Sequence, residues 1–297
     1  MRELRILLCC GFWFLSSFQQ APIRVEVEAV NVLVSVTDRK NRFVTNLGQN
    51  RFHIYENGVR QRITNFKHET ELPLRIALLI DTSSSVRLKL DFEKKAATHF
   101  LRMVMRPPDR ALLVEFDSGV SLRHDFTANT GAISKEIRAL RAGGGTALLD
   151  ALYTVSREKM TDPGSRQAIV ILSDGVDQNS QHTLENIVEA VHRSGAMIYA
   201  IGTTRFGAEV QEVGEKTLEK LADETGGRAF FPYSTETLTR AFEVLNEELR
   251  SQYSLTYVPR NMTKDGTFRK FEVKLIKGRG LSIRHRKGYY AATAESD

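Results

Sequence analysis

The run "ALLIDTSSSV" (77–86) closes an apolar stretch with one aspartate and a knot of hydroxyls. Ser and Asp often cap helices and make turns; alternatively, Asp81, Ser83 and Ser85 aim oxygens at a hard cation. Asp174 ends a second apolar run in "ILSDG", and Thr146 follows three glycines in "AGGGTALLDAL" (142–152), where backbone can approach closely. Two carboxylates, Ser83, Ser85 and Thr146 offer only oxygen. That is the donor set magnesium prefers, with manganese or calcium as alternatives. Near-octahedral geometry at roughly 2.1 Å leaves room for waters and one incoming ligand.

Positioning such groups requires strands that end together. "LRIALLID" (74–81), "ALLVEFD" (111–117), "AIVILSD" (168–174) and "AMIYAIG" (196–202) are short apolar runs, as expected of parallel strands covered on both faces. Helical stripes lie between them. Phe92, Ala96, Phe100 and Val104 step by four; Leu148, Leu149, Leu152 and Val155 form a second stripe, and Ile187, Val188 and Val191 a third. "KTLEKLADE" (216–224) and "ETLTRAFEVLNEELRS" (236–251) read as two further helices. The alternation predicts a doubly wound, mostly parallel α/β sheet of Rossmann-like type. If the strands ending in Asp81 and Asp174 are neighbours where the strand order reverses, both carboxylates meet in one crevice.

Both flanks read as β structure. Ile23, Val25 and Val27 alternate with charged residues; Val30, Val32, Val34 and Val36 then alternate in the opposite phase, which predicts a bulge or a change of sheet near Ala29. "ENG" (56–58) predicts a tight hairpin. Beyond Ser251, Tyr253, Leu255 and Tyr257, then Phe271, Val273 and Leu275, and then Leu281 and Ile283, alternate again. Neither flank is long enough to fold well alone. The expected organisation is a leader (1–21), one β-sandwich-like domain from residues 22–72 and 254–291, an α/β domain (73–253) inserted between them, and a tail (292–297).

"DTSSS", "GGGT" and "SDG", in this order on an α/β chain, resemble the von Willebrand factor type A domain and its metal-ion-dependent adhesion site. The family pattern, D-x-S-x-S with a distant Thr and a distant Asp, falls on Asp81, Ser83, Ser85, Thr146 and Asp174 without departure. The resemblance covers about residues 73–253, and the flanks look like an exported bacterial subfamily. It implies non-catalytic binding: the serines hold the metal directly, the aspartates often act through water, and an acidic side chain of a partner protein completes the coordination. Similar proteins shift the helix equivalent to 236–251 when the metal gains that ligand. A rigid module, whose last helix never moves, is the open alternative.

Other chemistries have weaker support. A metal-dependent hydrolase needs a base near a metal-bound water, and of seven scattered histidines only His182 stands near Asp174 in sequence; it reads as a solvated helix-start residue. Asp177 and Asn179 in "DGVDQN" are possible extra metal or partner contacts, or a polar turn. No G-x-S-x-G elbow or nucleotide-binding P-loop is present. The net charge of +6 is mild, and the basic stretch Arg269–Lys287 alternates with apolar residues, as on the wet face of a sheet, with polyanion binding by an exported protein as the alternative. No nucleic-acid partner is expected. Arg2 and Arg5 precede "ILLCCGFWFLSSF" (6–18), the layout of an export signal and too short for a bilayer span; Pro22 after Ala21 marks a cleavage site poorly, so an uncleaved anchor is the open alternative. Both cysteines lie in that leader, so the remainder would use no disulfide or thiol chemistry. The expected location is periplasmic, cell-surface or secreted.

Overall fold

Period-two burial shapes the first strands. The computed structural model describes residues 29–68, 72–162, 164–203 and 212–294; the leader and the expected strand over 23–27 lie outside them. In β1 (Val30–Asp38), Val30, Val32, Val34 and Val36 are buried, as their alternation demands. β2 (Phe52–Glu56) turns into β3 (Val59–Gln61) through Asn57 (φ 46°) and Gly58 (φ 81°), two left-handed residues that match the right-handed twist of a hairpin. β4 (Ile63–His68) completes this segment.

The α/β part follows in strict order: β5 (Leu74–Asp81), α1 (Leu90–Val104), β6 (Arg110–Phe116), β7 (Val120–Thr127), α2 (Thr130–Ala139), α3 (Leu148–Glu158) and β8 (Arg166–Ser173). Then come α4 (Leu184–Ser194), β9 (Met197–Gly202), α5 (Glu212–Thr225), β10 (Arg228–Phe230) and α6 (Thr235–Arg250). The sheet order is β10-β9-β8-β5-β6-β7, parallel except for the antiparallel β6–β7 pair. Each central strand is buried on both faces: Ile76, Leu78 and Ile80 pack toward α1, α2 and α6, while Ala77 and Leu79 pack toward α3, α4 and α5. Burying one such Leu contributes roughly 1.5–3 kcal/mol, which is why these runs carry no alternation.

After α6 the chain returns to antiparallel structure with β11 (Tyr253–Tyr257), β12 (Phe268–Leu275), β13 (Leu281–Arg284) and β14 (Gly288–Tyr290). The orders β13-β1-β11-β4 and β14-β12-β2-β3 mix N- and C-terminal strands in both sheets. Val32, Val34, Ile54, Tyr253, Leu255, Phe271 and Val273 form their common core. The fold is thus a doubly wound α/β sheet whose sequence interrupts a β-sandwich. β1 pairs with β11 through its first half and with β13 through its second.

Two expectations need correction. The stripe expected on α1 is rotated: Leu90, Glu93, Ala97, Phe100, Leu101 and Val104 are buried, while Phe92 and Ala96 only flank the core. β7 and α2 have no counterpart in the expected elements. β7 is a half-exposed edge strand with Arg123, His124 and Asp125 in its middle, so no apolar run marks it. α2 buries only Ile133, Ser134 and Ile137.

Candidate metal centre

β5 and β8 are hydrogen-bonded neighbours, and the strand order reverses between them. The crevice predicted from "LLID" and "ILSD" therefore opens beyond their carboxyl ends. Asp81 is fully buried there. Its Oδ1 accepts the Ser83 backbone N–H at 2.8 Å and its Oδ2 accepts the Ser173 hydroxyl at 2.7 Å. Above it the Ser83 and Ser85 hydroxyls lie 2.9 Å apart, and Ser85 donates to Asp174 Oδ2 at 2.7 Å. The other Asp174 oxygen accepts the Val176 N–H at 3.0 Å. A small cavity of about 230 Å³ sits over this chain, lined by Ser83, Ser85, Gly144, Thr146, Asp174 and Gln178 among others. The structure thus gathers Ser83, Ser85, Thr146 and Asp174 on one wall, with Asp81 beneath them.

The Thr146 loop is held by backbone and by one amide. Gly143 N–H donates to the Thr82 carbonyl at 2.7 Å and Ser84 N–H to that of Gly144 at 3.1 Å, so the two loops are stitched together. Gly144 has φ +73°, a conformation that disfavours any side chain. Asn179 accepts the Thr146 N–H at 3.1 Å and returns its own N–H to the Thr146 carbonyl at 2.9 Å. A Cβ on Gly145 would lie 2.0 Å from the Asn179 amide oxygen, so only glycine lets this clamp close. Asp177 accepts from Leu149 N–H and the Ser180 hydroxyl at the start of α3. Asp177 and Asn179 are therefore brackets of the turn, the second of the two roles open to them from sequence.

The electrostatics favour a cation. Burial, only partly offset by hydrogen bonds from Ser173 and Ser83, raises the Asp81 pKa to about 6, and the nearby Asp174 charge adds to the rise. Two carboxylates in one dry crevice repel each other unless a proton or a cation intervenes. Hard oxygen donors at hydroxyl and carboxylate positions fit Mg²⁺, Mn²⁺ or Ca²⁺ rather than a soft metal. Among the described residues, no three His, Cys, Asp or Glu side chains converge on a metal position. His182 stands apart: its Nδ1 meets Asp150 Oδ1 at 2.6 Å and its ring stacks on Tyr153 at 3.8 Å.

Three supporting groups escaped the sequence reading. Ser173 orients Asp81 and was visible only as the first letter of "SDG". Gly214, in α5, would place a Cβ 2.0 Å from the Asp174 carbonyl oxygen, and Gly175 (φ +78°) would place one 2.4 Å from the Gly214 carbonyl oxygen. The glycine pair lets α5 touch the Asp174 loop directly. Glu93, the one acid on the buried face of α1, carries a pKa raised to about 8 by burial and by the Asp81 charge. An acid inside an apolar helical stripe was the available signal.

Hydroxyls and carboxylates are gathered at the switch point of an open doubly wound sheet, the place where such α/β folds bind ligands. Residues 76–176 match the von Willebrand factor type A domain family, and the chain carries such a domain. A human protein, von Willebrand factor A domain-containing protein 3B, is 28% identical over 180 residues; the match covers 59% of this chain and spans only 13% of that protein's length. A von Willebrand factor type A structure from Catenulispora acidiphila superposes with TM-score 0.52 at 14% identity, over 92% of this chain and 76% of that one. Proximal thread matrix protein 1 from the mussel byssus, solved with a zinc-occupied MIDAS motif, gives 0.53 at 17% identity, over 65% and 49%. The type V pili tip protein Mfa5 from Porphyromonas gingivalis gives 0.51 at 14% identity, over 59% and 94%. At these identities the structural matches speak for the fold alone.

Proposed function

We propose that this protein is a non-catalytic, divalent-metal-dependent protein-binding module. Asp81, Ser83, Ser85, Thr146 and Asp174 would hold the ion, with magnesium the first choice and manganese or calcium able to substitute. The observation that carries the reading is the continuous Ser83–Ser85–Asp174 chain over buried Asp81. A bound cation would supply an open coordination position for an acidic side chain of a partner protein. The protein's own part is positional. Ser173 and the Ser83 N–H fix Asp81, the Asn179 clamp fixes Thr146, and Ser85 fixes Asp174. His182, held by Asp150 and stacked on Tyr153, does not line the cavity over Asp81, which supports the non-catalytic reading over a hydrolase.

The matched mussel protein carries zinc in its MIDAS motif, which supports a metal here; Mfa5 is a pilus-tip protein, which together with the leader-like N-terminal sequence supports a place outside the cell. Among the described residues no helix is long and apolar enough to cross a membrane. The domain plan is a sandwich from 22–72 and 254–291 presenting the α/β domain 73–253. Magnesium or manganese at a hundredfold excess over Kd stabilises the folded state by about 2.7 kcal/mol, raising Tm by roughly 5–10 °C. Ser85→Ala and Asp174→Ala should remove that increment and keep the metal-free Tm near its original value. A full metal-induced shift in both variants would refute the site.

A further inference from the structure

At the opposite end of the sheet, where β8 and β9 begin, the α/β part meets the sandwich around a cavity of about 530 Å³. β8 runs for 8 residues, so this cavity lies roughly 25 Å from the Asp81 crevice. Five cationic residues line it: Arg166, Arg193, Lys264, Arg269 and Arg286. No Asp or Glu does. Tyr289, Tyr290 and Met262 supply the less polar wall.

The guanidinium groups are held largely by neutral acceptors. Arg286 donates to the carbonyls of His192 (3.3 Å) and Asn31 (2.9 Å), and among the described residues no carboxylate lies within ion-pair distance of it. Arg269 donates to the carbonyls of Asn261 and Thr263, with the Asp265 carboxylate 3.7 Å away. Arg193 is paired with Glu189 and sits over the Tyr290 ring at 4.5 Å. Lys264 is exposed and has no carboxylate partner among the described residues. In the wall, Gln167 Oε1, Arg269 Nε and both ring nitrogens of His192 lack hydrogen-bond partners among the described residues. Burial drives the Arg286 pKa down to about 10 and that of His192 down to about 4, so the surroundings disfavour further positive charge.

We propose that this junction cavity binds a small organic oligoanion, a phosphate ester or a polycarboxylate. Its volume suits a ligand of metabolite size, and cations gathered along the protein walls of a half-open cavity attract an anion more strongly than they would in bulk water. Arginines already anchored by backbone carbonyls keep a fixed orientation, which lowers the ordering cost of charge-assisted bonds to such a ligand. Because the cavity touches β1, α4, the loop around Asn261 and β14, an occupant would also tie the two parts of the molecule together.

The test uses the full chain in metal-free buffer, which keeps the anions from acting through a bound cation. Pyrophosphate and citrate are titrated separately by calorimetry at matched ionic strength, and the two arms distinguish phosphate from carboxylate chemistry. Saturable binding of one of them, one per chain, is expected. Lys264→Ala, whose side chain is exposed, should weaken it roughly fivefold to tenfold without moving Tm, and Arg286→Gln should weaken it roughly tenfold to a hundredfold. No saturable heat from either anion overturns the proposal. So does binding that Lys264→Ala leaves unchanged, a result that stands even if Arg286→Gln fails to fold.

Discussion

Replacing Glu93 with glutamine should stabilise the metal-free protein in alkaline but not in acidic solution. Glu93 lies wholly buried on the sheet-facing side of α1, and neither of its carboxyl oxygens has a hydrogen-bond partner among the described residues. Burial, then the charges of Asp81 and Asp174, lift its pKa from 4.5 to about 8, with Thr203 and Lys89 acting in the other direction. A folded pKa above the unfolded one means the native state binds more protons between pH 4.5 and 8. Stability from this group is therefore complete below pH 4.5 and is lost as pH rises through 8. A rise of about 3.5 pH units sets a ceiling near 5 kcal/mol, and an effective interior dielectric nearer 20 than 4 reduces the working figure to about 2 kcal/mol. That corresponds to roughly 4–8 °C in Tm. Calorimetry of wild type and Glu93→Gln at pH 5 and pH 8 without divalent metal reads it directly. The variant should match wild type at pH 5 and melt several degrees higher at pH 8. Titrations not coupled to Glu93 cancel in the difference, including that of His192, whose neutral burial costs stability as pH falls from 6.5 toward 4. An equal Tm difference at both pH values would refute the reasoning.

Further expectations follow from the contacts around the crevice. Gly214→Ala should force α5 off the Asp174 loop and lower magnesium affinity roughly tenfold, because overpacking strain of about 1–3 kcal/mol reaches the loop; titration calorimetry measures it, and unchanged affinity would show that the loop does not depend on α5. Asn179→Ala unclamps Thr146 and should weaken magnesium binding by about five- to tenfold with little loss of Tm. Deleting residues 254–297 strips β1 and β4 of β11 and β2 of β12, so residues 30–68 should become protease-sensitive while the α/β part stays resistant.

The parts of this molecule that were legible in the sequence were those with strong, local signals. Unbroken apolar runs marked the four central strands, and "ENG" marked the β2–β3 turn, because burial on both faces and a left-handed turn each restrict residue type sharply. The gathering of hydroxyls and carboxylates around Asp81 and Asp174 was expected from the "DTSSS", "GGGT" and "SDG" motifs, on the condition that their two strands be neighbours, and the strand order meets that condition. β7 was not, since an edge strand with one wet face needs no apolar run. Nor were Gly214 and Gly175, whose need for glycine comes from a contact between α5 and the loop after β8, 39 positions apart in sequence. Asn179 was read only as a turn residue or a ligand, because its clamp on Thr146 exists only once the loops are folded together. The α1 stripe was placed a fraction of a turn off because Glu93, an acid, fills a place in the buried arc.

Whether α6 slides along the sheet when the metal site gains a partner can be weighed by energy. Its last turn is tied down by buried charge. Arg250 reaches the Asp109 carboxylate and the Val104 carbonyl, and Asp109 also accepts the N–H groups of Leu74 (2.9 Å) and Arg106 (2.8 Å). Although burial works to raise the Asp109 pKa, these bonds outweigh it and hold the carboxyl below its usual range. Glu248, also fully buried, faces Arg228 of β10 at 3.7 Å and Arg284 of β13 at 3.3 Å, while Arg166 of β8 donates to the Leu249 carbonyl. A one-turn slide of about 5.4 Å would separate Arg250 from Asp109 and leave a buried charge unpaired, at about 3–5 kcal/mol. A ligand-driven shift typically draws on only about 1–3 kcal/mol of coupling. The magnitudes favour a rigid module in which α6 stays in register and two residues connect it to β11. The double variant Asp109→Asn/Arg250→Met, which loosens the tie without stranding a charge, separates the readings. In a rigid module it lowers Tm but leaves magnesium affinity within about twofold of wild type, because the two places are distant and uncoupled. If α6 is a restrained switch, freeing its end shifts magnesium affinity by roughly tenfold or more, and the rigid reading fails.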